Sequence, residues 1–225
     1  MLDKEFDRWQ EDYNAKITRW VPHYEQLINQ LAELPNTFQP QEIMDLGCGN
    51  GNALALLLPI YSDAHYHLVD SSPEMIEAIR LRFKGQSNLS LMEKYFQDLN
   101  LLPNSLNLVV ACLAIHHLKA EEKQQLFKSI YSWLQPGAYF VYSDIFGDKK
   151  DEDYQELVLS PWEAYAKSQG TPDEEWETLM EHHATFDFPD HLDTQINWLK
   201  RAGFETVTSK MNDRNFGTLQ AFKGR

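Results

Sequence analysis

The chain has 225 residues, 43% of them hydrophobic and 24% charged, which suits one continuous core and is short for two. Its formal net charge of -14 disfavours bulk nucleic acid as a partner, because such binding draws on clustered Lys and Arg to neutralise phosphates. No run is apolar enough to predict a membrane span, and two cysteines, Cys48 and Cys112, suit neither a disulfide framework nor a cysteine metal cluster, so a cytoplasmic protein is expected.

Residues 3–34 carry Phe6, Trp9, Tyr13, Ile17, Trp20, Tyr24, Leu27, Ile28 and Leu31 at three- and four-residue steps. That spacing predicts helix, with Pro22 dividing it in two and Pro35 closing it. Strands are predicted at 42–46, 66–69, 89–93, 108–113 and 138–142, with helices at 53–58, 73–83 and 120–134 between them. Ser72 reads as an N-cap with Pro73 in the first turn behind it. Gln135-Pro136-Gly137 reads as a turn. Residues 147–190 break the alternation with acids, Trp162, Tyr165, Trp176, Met180 and paired histidines, and hold no convincing strand. A helix at 192–202, capped by Gly203, and strands at 204–209 and 216–222 complete the order. Apolar strands alternating with helices predict an α/β fold: a Rossmann-like, doubly wound, mostly parallel seven-stranded sheet with helices on both faces. One domain is expected: a helical cover at 1–40, a ligand-binding core at 41–146, a helical lid at 147–190, and a closing helix with two strands at 191–225.

Chemistry concentrates at the predicted strand ends. The first strand runs into Asp45-Leu46-Gly47-Cys48-Gly49-Asn50-Gly51, an acid followed by three glycines at alternate positions. Glycine permits a sharp turn and a ligand approach that a Cβ would block. A dinucleotide fingerprint places glycine at the first, third and sixth positions, and the sixth here is Asn52. Ligands of open α/β sheets lie beyond the carboxyl ends of the strands. The second strand ends in Asp70 and Ser71, where a carboxylate can accept both hydroxyls of a ribose. The third is followed by Phe96-Gln97-Asp98-Leu99, an acid suited to an adenine amino group. The fourth passes Cys112 and leads to His116-His117. His182-His183 beside Glu181 invites a metal, but adjacent helical residues point to different faces, so no metal site is expected. Trp9, Tyr13, Trp20, Trp162, Tyr165 and Trp176 either line an apolar pocket or join helices to one another.

Taken in order, these features resemble the class I S-adenosylmethionine (SAM) methyltransferases along essentially the whole chain, with acid-x-Gly-x-Gly-x-Gly as their motif I. The chain is similar to the carboxy-SAM synthase subgroup of the tRNA wobble-uridine pathway and its uncharacterised relatives. The similar stretches are Val21-Pro22-His23-Tyr24, Asp70-Ser71-Ser72-Pro73-Glu74-Met75-Ile76-Glu77, Leu134-Gln135-Pro136-Gly137, Lys200-Arg201-Ala202-Gly203-Phe204 and Asn215-Phe216-Gly217-Thr218-Leu219. The resemblance implies SAM as cofactor, S-adenosylhomocysteine as product, and a homodimer. It implies that Tyr24 reaches the cofactor from the N-terminal helices, that Gly47, Cys48 and Gly49 pack along its methionine moiety, that Asp70 and Ser71 hold the ribose, and that Asp98 and Leu99 hold the adenine. Asp45, Gly51, Met75 and Cys112 complete that cofactor set. Two departures stand out: Cys112 replaces an asparagine that contacts the cofactor, and Trp198 replaces the arginine that pairs the extra carboxylate of carboxy-SAM. Tryptophan offers no bidentate cationic fork, so ordinary SAM and a small-molecule acceptor are expected. His116 or His117 would face that acceptor as a base. The alternatives are a carboxy-SAM synthase-like enzyme and a SAM-binding regulator or scaffold that turns nothing over.

Overall fold

The computed structural model describes residues 13–224. Phe6 and Trp9, and the helix predicted ahead of residue 13, lie outside the described residues, as does the side chain of Tyr13. Helices α1 (Tyr13–Trp20) and α2 (Tyr24–Gln30) lead into β1 (Glu42–Leu46), α3 (Asn52–Leu57), β2 (His65–Asp70), α4 (Pro73–Arg82) and β3 (Leu89–Glu93). Then follow β4 (Leu106–Cys112), α5 (Ala120–Trp133), β5 (Leu134–Ile145), α6 (Ser160–Ser168), α7 (Asp173–Phe186), α8 (Leu192–Ala202), β6 (Thr206–Met211) and β7 (Phe216–Phe222).

The strands form one seven-stranded sheet in the order β3-β2-β1-β4-β5-β7-β6. Pairing is parallel from β3 to β5, and β7 runs antiparallel to both of its neighbours. The strand order reverses between β1 and β4, which opens the crevice where such sheets take ligands. Because helices cover both faces, the inner strands are apolar on both sides. Met44, Val109, Phe140 and Tyr142 pack one face against Phe127 and Ile130 of α5 and Leu199 of α8. Ile43, Leu68, Val110 and Val141 pack the other against Leu54 and Leu57 of α3 and Ile76 and Ile79 of α4. A third cluster joins Ile17 and Trp20 of α1, Trp162 of α6, and Trp176 and Leu179 of α7 to Ile145 and Phe216. It roofs the carboxyl end of the sheet.

Local chemistry explains the boundaries. Pro22 separates the first two helices, and His23 adopts φ 60 in the break. Ser72 caps α4 by accepting the Met75 N–H at 3.2 Å. The Gln135-Pro136-Gly137 turn proves to be a bulge inside β5, where pairing jumps from Leu106↔Leu134 to Leu108↔Tyr139. Proline offers no N–H to the ladder, and Gly137 at φ 83 turns its own N–H to the Lys223 carbonyl, so the strand bulges without ending. β6 starts two residues later than expected. Gly203 at φ 118 and the Phe204 N–H, which reaches the Leu199 carbonyl, still belong to the C-cap of α8.

Candidate active site at the carboxyl edge of the sheet

The turn after β1 is shaped by two glycines. Gly47 sits at φ 71, and a Cβ there would lie 2.4 Å from the Ala114 Cβ, so the β4 loop closes directly onto it. Gly49 sits at φ 51 with open space where its Cβ would go, which leaves room for a ligand against the bare backbone. Its N–H donates to Asp70 Oδ2 at 2.9 Å, and the Ser72 N–H donates to Asp70 Oδ1 at 3.0 Å. Two backbone donors thus fix the Asp70 carboxylate at the mouth of the turn.

A cleft of about 260 Å³ opens there. Of the predicted residues, Gly47, Gly49, Asp70, Ser71, Met75, Cys112 and His117 line it. Tyr24, Asp45, Cys48, Gly51, Asp98 and Leu99 are not part of that lining. Tyr24 instead accepts a hydrogen bond from Asn52 Nδ2 at 2.8 Å, at the start of α3. Gly51 is the N-cap of α3, and Cys48 is buried. Asp98 closes a short 3-10 turn (Phe96–Asp98) with a backbone bond to Tyr95 and is exposed, while Leu99 packs into the core. Lys94, Tyr95, Phe96 and Gln97 line the cleft where Asp98 was expected.

Asp45 lies beneath the turn, 2% exposed, with no hydrogen-bond partner on Oδ2. Burial, helped by the nearby Asp70 charge, pushes its pKa up to about 7. Burial likewise raises the Cys48 and Cys112 thiols well above their ordinary range, so neither behaves as a reactive thiolate.

Beside the cleft lies a second, smaller cavity of about 60 Å³. That is room for about four to six waters, taking roughly 10–15 Å³ of such space for each. Trp20, Trp162, Leu179 and Phe216 give it apolar walls, and His116, His117, His182 and Asp187 give it a polar one. Leu113, held at φ 52, and His117 line both compartments. Tyr165 and Trp176 do not line the cavity and instead join helices: Tyr165 donates its hydroxyl to Thr18 O, and Trp176 packs edge-on to Trp162.

The polar wall is built around two aspartates. Asp144, near the end of β5, accepts the His116 backbone N–H at 3.0 Å through Oδ2 and pairs with His116 Nδ1 through Oδ1. Asp187, one residue past α7, pairs with His183 Nδ1 at 2.7 Å through Oδ2. Around its Oδ1 stand His117 Nδ1 at 3.1 Å, His116 Nε2 at 3.5 Å and His182 Nε2 at 3.5 Å. None of the three is aligned as a hydrogen bond to that oxygen, which is buried. His182 and His183 do turn to different sides, as adjacent helical residues must, yet both converge on this one carboxylate. The segment that carries it is tied down. The Phe188 N–H donates to His116 O at 2.7 Å, and the fully buried Lys123 donates to Phe188 O and to Asp190 at 2.6 Å. For His116, burial opposes the imidazolium, but Asp144 and Asp187 outweigh it and raise the pKa. For Asp187, burial opposes ionisation, but the surrounding imidazoles, His116 foremost, hold it well below the usual carboxylate range. Burial drives His182 down to about 4 and keeps it neutral.

Sequence reading found His116 and His117 but not Asp144, Asp187 or Leu113. Asp144 follows the same strand-end pattern as Asp70 and was legible by that rule. Asp187 carried no signal, being separated by 70 residues from His117 and joined to it only by the fold.

A family profile described as a methyltransferase domain matches residues 43–137, from β1 to the bulge of β5. The carboxy-SAM synthase of Erwinia tasmaniensis is 30% identical over 225 residues, covering 96% of this chain and 90% of its own length. That of Yersinia enterocolitica is 29% identical over 220 residues, covering 95% of this chain and 82% of its own. Among solved structures, human N-acetylserotonin methyltransferase in complex with SAM aligns with a TM-score of 0.67 at 18% identity, covering 98% of this chain. An O-methyltransferase family protein from Burkholderia thailandensis aligns with 0.67 at 14%, covering 97%. The chain spans 57% and 60% of those two structures, and the likeness to them is one of fold. Sheet order, glycine turn and these matches together define a SAM-dependent methyltransferase. The chain belongs to the family of these enzymes that includes the carboxy-SAM synthases, and its cofactor is SAM.

Proposed function

We propose that this enzyme transfers the methyl group of SAM to a small-molecule acceptor by in-line displacement, mainly through positioning. The observation that carries the reading is the shared wall: Leu113 and His117 line both the cofactor cleft and the apolar cavity. An atom held in that cavity lies one side chain away from the cleft. The cleft residues suit SAM. Gly47 and Gly49 offer backbone without side chains, Asp70 offers a carboxylate suited to ribose hydroxyls, and Phe96 and Gln97, which line the same cleft, are the residues we assign to the adenine. SAM supplies an electrophilic methyl, so the demanding chemistry belongs to the cofactor. The protein's part is to align the acceptor and exclude water, which can supply most of the acceleration. Trp20, Trp162 and Phe216 keep water out, and the small cavity restricts the acceptor to a compact group. Where the acceptor atom carries a proton, His117 is the imidazole placed to take it. His116, held between Asp144 and Asp187, braces it.

The test is turnover of SAM in the presence of a fractionated small-molecule extract, with mass detection of both products. Release of S-adenosylhomocysteine with a methylated compound is expected. His117→Ala is expected to lower kcat at least tenfold with the SAM Kd changed less than threefold. Unchanged turnover in that variant would remove the base role. A carboxy-SAM synthase-like activity is the second reading, favoured by the names of the 30%-identical relatives. Against it, Trp198 packs against the core on α8 and does not line the cleft. Carboxy-SAM as the sole product of the same assay would establish it.

A further inference from the structure

We propose that His116, His117 and Asp187, with His182 as a fourth donor, form a binding site for one divalent transition-metal ion at the polar wall of the acceptor cavity. One donor atom from each of the first three residues lies within 4.8 Å of the others. The distances to Asp187 Oδ1 are close to those a metal imposes. Metal–nitrogen and metal–oxygen bonds of about 2.1 Å in a tetrahedron put neighbouring donors ~3.4 Å apart. The three imidazole nitrogens stand 3.1, 3.5 and 3.5 Å from Asp187 Oδ1. The two separations of 3.5 Å are long for hydrogen bonds, and Asp187 Oδ1 is buried without an aligned hydrogen-bond partner; His117 Nδ1 also stands 3.3 Å from Phe186 O, a contact it exchanges for the metal.

The outer shell fits as well. His116 Nδ1 is engaged by Asp144, which directs the Nε2 lone pair at Asp187 Oδ1. That lone pair carries either a proton, which makes the contact an ion pair, or a metal ion that displaces the proton. A carboxylate on the far nitrogen of a ligating histidine is the arrangement that fixes its tautomer and strengthens it as a ligand. His183 does the same for the carboxylate, engaging Oδ2 and leaving Oδ1 to point inward. The Lys123 and His116 backbone anchors hold the loop that carries Asp187, so the donors are preorganised. Imidazole nitrogens with a single carboxylate select the zinc, cobalt, nickel or iron(II) class over magnesium or calcium, which prefer oxygen. All four residues face the cavity, so a coordination position is open to a ligand within it. If the methyltransferase reading above holds, an oxygen or sulfur atom of the acceptor takes that position, and with the metal bound His117 serves as ligand while the metal, in place of an imidazole base, favours loss of the acceptor's proton.

The experiment is metal titration of chelator-stripped protein with Co²⁺ and Zn²⁺, followed by calorimetry and by the visible absorption of bound Co²⁺. Uptake of one equivalent per chain, with the absorption of a tetrahedral nitrogen–oxygen site, is expected. Asp187→Asn should weaken uptake at least a hundredfold, and Asp144→Asn, in the outer shell, about 10- to 100-fold. His67→Ala, on the far end of β2 where His67 pairs with Glu42, should leave it unchanged and so exclude scattered surface histidines. Thermal stabilisation by SAM is recorded on every sample as an independent sign of folding. Stripped protein that responds to SAM yet takes up no metal overturns the site, as does uptake that survives Asp187→Asn or vanishes in His67→Ala. If Asp187→Asn does not fold, His182→Gln replaces it, with at least a tenfold loss expected and undiminished uptake counting against the site. Metal uptake without any response to SAM would leave this site standing and overturn the methyltransferase reading instead.

Discussion

Gly47 shows how much a single residue can fix. Its φ of 71 and the 2.4 Å approach of Ala114 to a would-be Cβ are independent demands, one of conformation and one of space. Gly47→Ala should cost at least about 2 kcal/mol, read by denaturant unfolding, because left-handed strain and overpacking each cost ~1–3 kcal/mol. A loss below about 0.5 kcal/mol would mean that the β4 loop relaxes away from the turn. Asp45 makes a different prediction. Its pKa of about 7 in the fold lies above its ordinary 3.8, so between those values the folded state keeps a proton that the unfolded chain has released. This group therefore favours folding at low pH, and that contribution is lost as pH rises through about 7. The melting temperature of Asp45→Asn relative to the native protein should climb from about pH 5 to about pH 8 in the ligand-free state. A difference that does not change with pH would show Asp45 ionised throughout. At this scale the sequence was legible where one residue type meets one backbone need, as at Gly47, Ser72 and Gly203. It was illegible where a role depends on aim. Asp98 is exposed at the end of a 3-10 turn next to Phe96 and Gln97 of the cleft, and no local pattern sets the direction of its side chain.

Between elements, the anchoring of the α7–α8 segment onto α5 is the contact that shapes the cavity. Lys123 is fully buried and bonds to Phe188 O and Asp190, an arrangement that nothing in the amphipathic pattern of α5 announces. Removing one partner of such a pair strands the other. Because Asp190 is partly exposed, Lys123→Met should cost about 2 kcal/mol, and not the 3–5 kcal/mol of a fully buried pair. SAM affinity should stay within about twofold, since the anchor touches only the cavity side. A tenfold loss of SAM affinity would mean that the two compartments are mechanically coupled. Most elements built on local periodicity were read to within two residues, although α2 ends at Gln30, four residues short of the helix expected to 34. β5 was not so read, because a bulge and a turn use the same Pro-Gly chemistry and differ only in whether the neighbouring strands carry on.

For the whole molecule, the mostly parallel sheet covered on both faces was legible from alternation, whereas the strand order, the crevice between β1 and β4 and the cavity were not. The cavity walls come from α1, the loop after β4, β5, α6, α7 and β7, and no local pattern reports which of them meet. SAM or S-adenosylhomocysteine at about a hundred times its Kd should stabilise the fold by ~2.7 kcal/mol in a melting experiment, and carboxy-SAM should do less. A larger shift with carboxy-SAM would move the synthase-like reading ahead of the methyltransferase one. Light scattering at micromolar concentration tests the homodimer implied by the family resemblance, which a monomeric mass would refute.

The roof over the cavity is stitched from opposite parts of the chain. Arg19 bonds to Glu175 at 2.9 Å, Trp20 donates to the same carboxylate, and Trp162 donates to the Trp20 carbonyl at 2.5 Å. These links close a loop of more than 140 residues but involve few backbone ladders, so they join late in folding and part early. Amides of α1 and α6 should therefore exchange with deuterium through a sub-global opening while those of β1 and β4 stay protected until the whole domain unfolds. Even a compact acceptor then enters through the roof: its breathing sets the rate of entry, and a mutation at Glu175 would change how fast the enzyme is filled without touching what it does once full.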